Sequence, residues 1–125
     1  MTPKTRVYLY FSTLGLFSLA MLGSGAMDLI LPPELAAGLA HLGYAGYVAR
    51  LLGVWKLLGV VAITAPGFPR LKEWAYAGFT FDLSGAFVSH LAGGDGLGKA
   101  LIPLMLLSIG LASWSLRPEG RKLTP

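Results

Sequence analysis

Charged residues divide the chain into four long apolar runs. The first uncharged run, Val7–Met27, lies between Arg6 and Asp28, and two later runs each contain a single charge, Lys56 or Asp82. A fourth run, near the C-terminus, contains none. A helix needs about 20 apolar residues to cross the hydrocarbon core of a bilayer. The pattern therefore predicts four transmembrane helices, near residues 6–28, 45–65, 73–92 and 98–116.

The composition is typical of a membrane protein rather than of a soluble domain. Of the 125 residues, 54% are hydrophobic and 13% are charged, whereas a soluble domain has roughly 25% charged residues. We therefore expect residues 1–125 to form one domain, an all-α, antiparallel four-helix transmembrane bundle. The absence of cysteine excludes disulfides and iron–sulfur clusters. No nucleic-acid partner is expected, because the net charge of +4 is scattered over the ends of the runs.

Basic residues are distributed unevenly between the two ends of the predicted helices. Loops on the cytoplasmic side of membrane proteins are enriched in lysine and arginine. We therefore predict a multi-pass protein of the cell membrane with both termini in the cytoplasm. The basic residues expected inside are Lys4, Arg6, Arg70, Lys72, Arg117, Arg121 and Lys122, and those outside are Arg50 and Lys99.

Several short stretches, from the end of the first predicted helix to the end of the third, are similar to those of a known family. They are SGAMDL (24–29), PPE (32–34), AHLGY (40–44), LGVWKLLG (52–59), PRLKEWAYAG (69–78), FDLSGA (81–86) and VSH (88–90). In these stretches the chain resembles the DoxX-like family of small four-helix membrane proteins. The resemblance implies a link to quinone-coupled sulfur oxidation, to membrane oxidoreductase assemblies or, as in animal relatives, to receptor assembly. The family has no agreed catalytic motif, so the resemblance assigns no residue a role.

Two charged residues inside the predicted spans are the first candidates for a site. Lys56 lies thirteen residues before Pro69 and Asp82 thirteen residues after it, which places both at one depth, about 15–20 Å from the turn. A charge at mid-membrane costs about 2.5–3.5 kcal/mol on insertion scales, so the two should face inward and form an ion pair. Two interpretations stay open: a staple that sets the register of the hairpin, or a polar site for a ligand or a proton.

Other polar residues are expected at the cap end of the predicted bundle. Pro32-Pro33-Glu34 can begin a short helix, which we predict over residues 33–42 as an interfacial cap or a lid. Asp28, Arg50 and His90 are expected to converge beneath it. Ser89 and His90 share a helical face with Asp82, and Trp55, unlike the other tryptophans and the tyrosines, lies deep inside a span. The candidate ligand-binding residues are therefore Asp28, Arg50, Trp55, Lys56, Asp82, Ser89 and His90.

The first functional hypothesis is an accessory or subunit protein that binds a lipophilic molecule, quinone-like or isoprenoid-like, near Lys56 and Asp82. A second is an intramembrane enzyme in which Asp82 is the acid or base and Lys56 tunes its pKa. A third is a subunit of an oligomeric transporter. Metal or haem ligation is not expected, because His41 and His90 are the two histidines and no His-xxx-His pair exists. The expected partners are the bilayer, the lipophilic molecule, and a membrane protein or a second copy of the chain.

Overall fold

The computed structural model describes residues 1–123, and all regular structure in this part of the chain is helical. The four predicted spans correspond to α1, α3, α4 and α5, and the predicted short helix corresponds to α2. α4 begins four residues earlier than predicted, because proline suits the first turn of a helix. The elements are α1 (Pro3–Ile30), α2 (Pro33–His41), α3 (Gly46–Thr64), α4 (Pro69–Ala92), α5 (Leu97–Ser115) and a 3₁₀ turn (Glu119–Arg121).

Three of these helices, α1, α3 and α5, are long and apolar enough to cross a membrane. α4 has 24 residues and is long enough as well, but Asp82, Ser89 and His90 lower its hydropathy. Large apolar side chains lie on the outer surface of the helices, for example Leu19, Phe81 and Met105. Helices that are apolar on their outer as well as their inner faces are typical of a membrane protein.

The four long helices enclose a common core. α1 contacts α3 and α5, and α4 contacts the same two helices, while α2 lies against α3. Buried side chains from three of the helices meet in the middle, and residues of α5 pack against them. These buried core residues are Tyr10, Leu14, Phe17, Met21, Val60, Ile63, Tyr76, Phe79 and Leu83.

Two phenylalanine rings at the centre of this core each pack against a glycine of a neighbouring helix. Phe17 and Phe79 make an edge-to-face contact with their ring centroids 5.0 Å apart. A Cβ atom added at Gly110 or Gly59 would lie 2.7 Å from the Phe17 or Phe79 ring, respectively. Small residues let membrane helices approach closely, so these two glycines set the distances of α5 from α1 and of α3 from α4.

At the end of the bundle that holds the start of α1 and the end of α5, hereafter the terminal end, basic side chains join neighbouring elements. Arg117 donates to the Glu73 carboxylate at 2.7 Å, and Arg6 donates to the Ser115 carbonyl at 2.9 Å. The buried ammonium of Lys72 donates to backbone carbonyls of the α3–α4 turn. The contacts of Glu73 and Lys72 fix the first turn of α4 against its neighbours, and the contact of Arg6 joins α1 to α5.

Candidate functional site

Lys56 of α3 is the centre of a charged cluster between three helices. Its ammonium donates to Asp28 Oδ2 at 2.8 Å and to Ser24 Oγ at 2.9 Å, both on α1. Asp82 Oδ2 of α4 lies 3.8 Å from the same ammonium. The side chains of Lys56, Asp28 and Asp82 are 12%, 11% and 17% exposed, so all three are largely buried between the helices. We call these three residues the charged triad.

A close contact between α1 and α3 positions Lys56 against Asp28. A Cβ atom added at Gly53 would lie 2.8 Å from the Gly25 carbonyl oxygen, and one at Gly25 would lie 3.1 Å from Lys56 Cβ. The two helix backbones therefore nearly touch one turn away from the ammonium. Ser24 and Asp28 are four residues apart on α1, so both side chains lie on one face and reach the same ammonium.

The hairpin of α3 and α4 brings Asp82 to the triad. Phe79 packs on Gly59 nearer the α3–α4 turn, which fixes the register of the two helices at the depth of Lys56. The predicted contact between Lys56 and Asp82 is present, but it is the longer of the two ion-pair contacts. The hydrogen bond goes to Asp28, which the sequence analysis placed elsewhere.

The predicted convergence of Asp28, Arg50 and His90 is wrong. Asp28 pairs with Lys56, Arg50 Nε donates to the Leu29 carbonyl at 3.4 Å, and His90 bonds to Asp95. No two of the three form an ion pair or a hydrogen bond with each other. The prediction used depth alone, and depth does not determine in which direction a side chain points around its helix.

The cap end of the bundle, which holds α2, contains a second polar cluster that the sequence analysis missed. His90 Nδ1 donates to Asp95 Oδ2 at 2.7 Å, and His41 Nε2 lies 3.0 Å from Asp95 Oδ1 and 2.9 Å from the Gly93 carbonyl. Because both neighbours of His41 Nε2 are acceptors, this nitrogen carries the hydrogen. The hydrogen bond from His90, with smaller contributions from the charges of His41 and Lys99, lowers the pKa of the Asp95 carboxyl.

Two other predicted ligand-binding residues lie apart from the triad. Ser89 forms a hydrogen bond with the hydroxyl of Tyr44, and so joins α4 to the segment that follows α2. Trp55 precedes Lys56 in the chain but is 58% exposed on the outer surface of α3. Within residues 1–123, no group of three histidine, aspartate or glutamate side chains is placed to hold a metal ion.

A shallow groove of about 300 Å³ runs along the outer surface between α4 and α5. Apolar side chains dominate its walls, and the triad does not contribute to it. Its lining residues are Glu73, Tyr76, Ala77, Thr80, Phe81, Leu111 and Trp114. The groove and the triad are thus two separate features of α4.

The helical fold and its apolar surface define a multi-pass membrane protein. A family model described as the DoxX-like family matches residues 12–113, a segment that includes all three triad residues. The chain therefore belongs to the DoxX-like family. No curated protein and no solved structure matches the sequence.

Proposed function

We propose that this protein is a membrane accessory or subunit protein that binds a lipophilic molecule with oxygen acceptors, quinone-like or isoprenoid-like, at Lys56 and Asp82. The observation that carries the proposal is the charged triad. One lysine and one aspartate are enough for an ion pair, yet the triad has a second carboxyl group beside that pair. A buried ion pair contributes little to stability, and ionisable groups inside a membrane are generally functional.

The polar groups of the triad are incompletely satisfied by the protein. A lysine ammonium has three N–H donors, and two of them are accounted for by Asp28 and Ser24. Asp82 makes no hydrogen bond with any residue in 1–123, and its nearest cation is 3.8 Å away. A ligand carbonyl could accept the third N–H of Lys56, and a ligand hydroxyl could donate to Asp82. Both the oxidised and the reduced form of a quinone therefore match this site.

We also propose that α4 is a fourth membrane span, so that the long helices form an antiparallel four-helix bundle with both termini in the cytoplasm. Short connections, residues 65–68 and 93–96, join α3 to α4 and α4 to α5, and short connections favour antiparallel neighbours. The contact of Arg6 with Ser115 at the terminal end supports the same arrangement. The excess of basic residues at that end supports its cytoplasmic location in the cell membrane.

Extraction of the purified protein tests the proposed ligand. We expect organic extracts of protein in nanodiscs to contain a quinone or another isoprenoid at near-stoichiometric ratio, identified by mass spectrometry. The variant Lys56→Met/Asp82→Asn should lose it, while Glu119→Gln, at an exposed position of the terminal end, should retain it. An empty wild-type bundle that co-purifies with other membrane proteins would contradict ligand binding and favour an assembly role alone.

Two further measurements distinguish the proposal from the two alternatives, an enzyme and a transporter subunit. Conversion of the bound molecule during incubation, abolished by Asp82→Asn, would identify an intramembrane enzyme. Movement of a solute across vesicles that contain an oligomer of the protein would identify a transporter subunit. Retention of an unchanged molecule is the result that the proposal expects.

A further inference from the structure

Asp82 is the most exposed member of the charged triad, and it lies at the edge of α4. The core-facing residues of this helix are Tyr76, Phe79 and Leu83, whereas Phe81 is 76% exposed on the outer surface. Asp82 lies between these two directions, on the side of α4 that faces Lys56 of α3. Its carboxylate is therefore close to the outer surface at the seam between α3 and α4.

The positions about one turn before and one turn after Asp82 on its side of α4 are glycines. Gly78 lies four residues before Asp82 and Gly85 three residues after it, so both share its side of the helix, one turn away. A Cβ atom added at either glycine would find no other atom within 4 Å. These glycines are therefore not explained by close packing, in contrast to Gly53 and Gly59 of α3.

The other approaches to the triad are closed by protein. Between α1 and α3, the contact of Gly25 with Gly53 leaves no space. Toward the terminal end, the Phe79 ring packs on Gly59. Toward the cap end, Tyr44 bonds to Ser89, and His41 and Leu42 contact Gly93. The seam beside Gly78 and Gly85 is the side that these contacts leave uncovered.

An aromatic side chain of α3 borders this seam. Trp55 lies four residues before Gly59 on one face of α3, and Gly59 contacts Phe79 of α4. The exposed indole of Trp55 is thus on the α4 side of the outer surface and at the depth of Lys56. An aromatic ring beside a polar site suits a flat ring that carries oxygen atoms, because aromatic stacking contributes beyond simple burial.

We propose that the ligand enters the triad sideways from the lipid, through the seam defined by Trp55, Gly78, Asp82 and Gly85, and that the two glycines keep this entrance open. The inference rests on the proposed function. It restricts the ligand to molecules dissolved in the bilayer that carry a flat ring with oxygen acceptors at the depth of Lys56. Water-soluble carboxylates or sugars would not reach this entrance.

Filling the entrance tests the proposal without disturbing the fold. Gly85→Leu adds a side chain where nothing is within 4 Å, and leucine is a better helix former than glycine, so the melting temperature should not fall. The probe is a benzoquinone with a short isoprenoid tail, and its dissociation constant is measured in nanodiscs. We expect Gly85→Leu and Gly78→Leu each to weaken binding at least tenfold. The matched control is Gly15→Leu, at an equally open glycine of α1, which should stay within twofold of wild type.

The outcomes distinguish this inference from the function on which it rests. If the wild type binds the probe and both seam variants bind it equally well, the lateral entrance is overturned while the ligand site stands. If the wild type does not bind it, both are overturned. Should one seam variant fail to fold, the other and the smaller change Gly85→Val provide the same comparison.

Discussion

Lys56 and Asp28 form a 2.8 Å ion pair between α3 and α1, one turn from the point where Gly53 and Gly25 bring the two backbones together. This ion pair changes the role that can be assigned to Asp82. With Asp28 as the direct partner of Lys56, Asp82 is a second carboxylate that the ion pair does not need. Lys56 and Asp28 form a complete ion pair between two helices, and Asp82 is an additional carboxyl group beside it. We propose that this additional group binds the ligand.

The two aspartates should therefore differ in their effect on stability. Asp28→Asn leaves the Lys56 ammonium without its direct ion-pair partner, and breaking a buried pair costs about 3–5 kcal/mol. Asp82→Asn removes only a 3.8 Å contact, for which we expect about 1 kcal/mol or less, as for weak ion pairs. Chemical unfolding in detergent measures both. Equal losses in the two variants would show that Asp82 is part of the staple.

Coupling between Lys56 and Asp28 should be visible in a double-mutant cycle. Lys56→Met alone leaves two carboxylates without a cation, whereas Lys56→Met/Asp28→Asn removes both members of the pair. We expect the double variant to be more stable than the sum of the single losses predicts, by about 1–3 kcal/mol. Strictly additive losses would contradict the observed contact.

The contact of Gly25 with Gly53 should tolerate no added carbon atom. Gly53→Ala places a Cβ atom 2.8 Å from the Gly25 carbonyl, so we expect a loss of about 1–3 kcal/mol from overpacking. Gly15→Ala meets no atom within 4 Å and should be neutral or stabilising by up to about 1 kcal/mol, as alanine favours helix. The difference between the two unfolding free energies is the measurement. A stable Gly53→Ala protein would mean that α1 and α3 are farther apart than described.

The carboxyl of Asp95 should titrate below its ordinary value of 3.8, because His90 donates a hydrogen bond to it. Since its pKa in the folded protein is lowered, the contribution of Asp95 to stability is present above pH 3.8. It is lost as the pH falls through the lowered pKa. A carbon-13 NMR titration of labelled aspartate gives the midpoint. We expect His90→Gln to raise this midpoint, and an unchanged midpoint would rule out the hydrogen bond as its cause.

Cysteine labelling tests the orientation, and it is simple because the native chain has no cysteine. Pro66→Cys lies in the α3–α4 turn and Leu97→Cys at the start of α5. An impermeant thiol reagent should label position 97 on intact cells and position 66 only after the membrane is opened. Labelling of both positions from outside would contradict α4 as a fourth span.

The sequence predicted the positions of the helices better than their rotations. Charges at Arg6, Asp28, Arg70 and Arg117 lie near the ends of apolar runs, and the helices follow those runs. The depth of Lys56 and Asp82 was also predictable, because it depends only on residue counts from Pro69. The direction of Asp28 around α1 depends on the close contact at Gly25 and Gly53, which requires knowledge of which helices are neighbours. The spacing of Ser24 and Asp28, four residues apart, places both on one face of α1, but it does not say which helix that face contacts.

The cap-end cluster could not be predicted for a different reason. Asp95 lies in a loop and His41 at the end of α2, so their contact depends on how α2 folds back onto the bundle. No periodic pattern of hydrophobic residues indicates such a contact between a loop and a short helix. The sequence places His90 near this end of the bundle, but depth alone does not indicate that Asp95 is its partner.

The central claim is that the triad serves a ligand and not only the fold. The variant Lys56→Met/Asp28→Asn/Asp82→Asn removes all three charged side chains of the triad. No charged group of the triad is then left without a partner. The decisive measurement compares its melting temperature and its affinity for the short-chain benzoquinone with those of the wild type, both in nanodiscs. We expect a melting temperature close to that of the wild type and binding weakened at least tenfold. Wild-type affinity in this uncharged variant would contradict a ligand site at the triad.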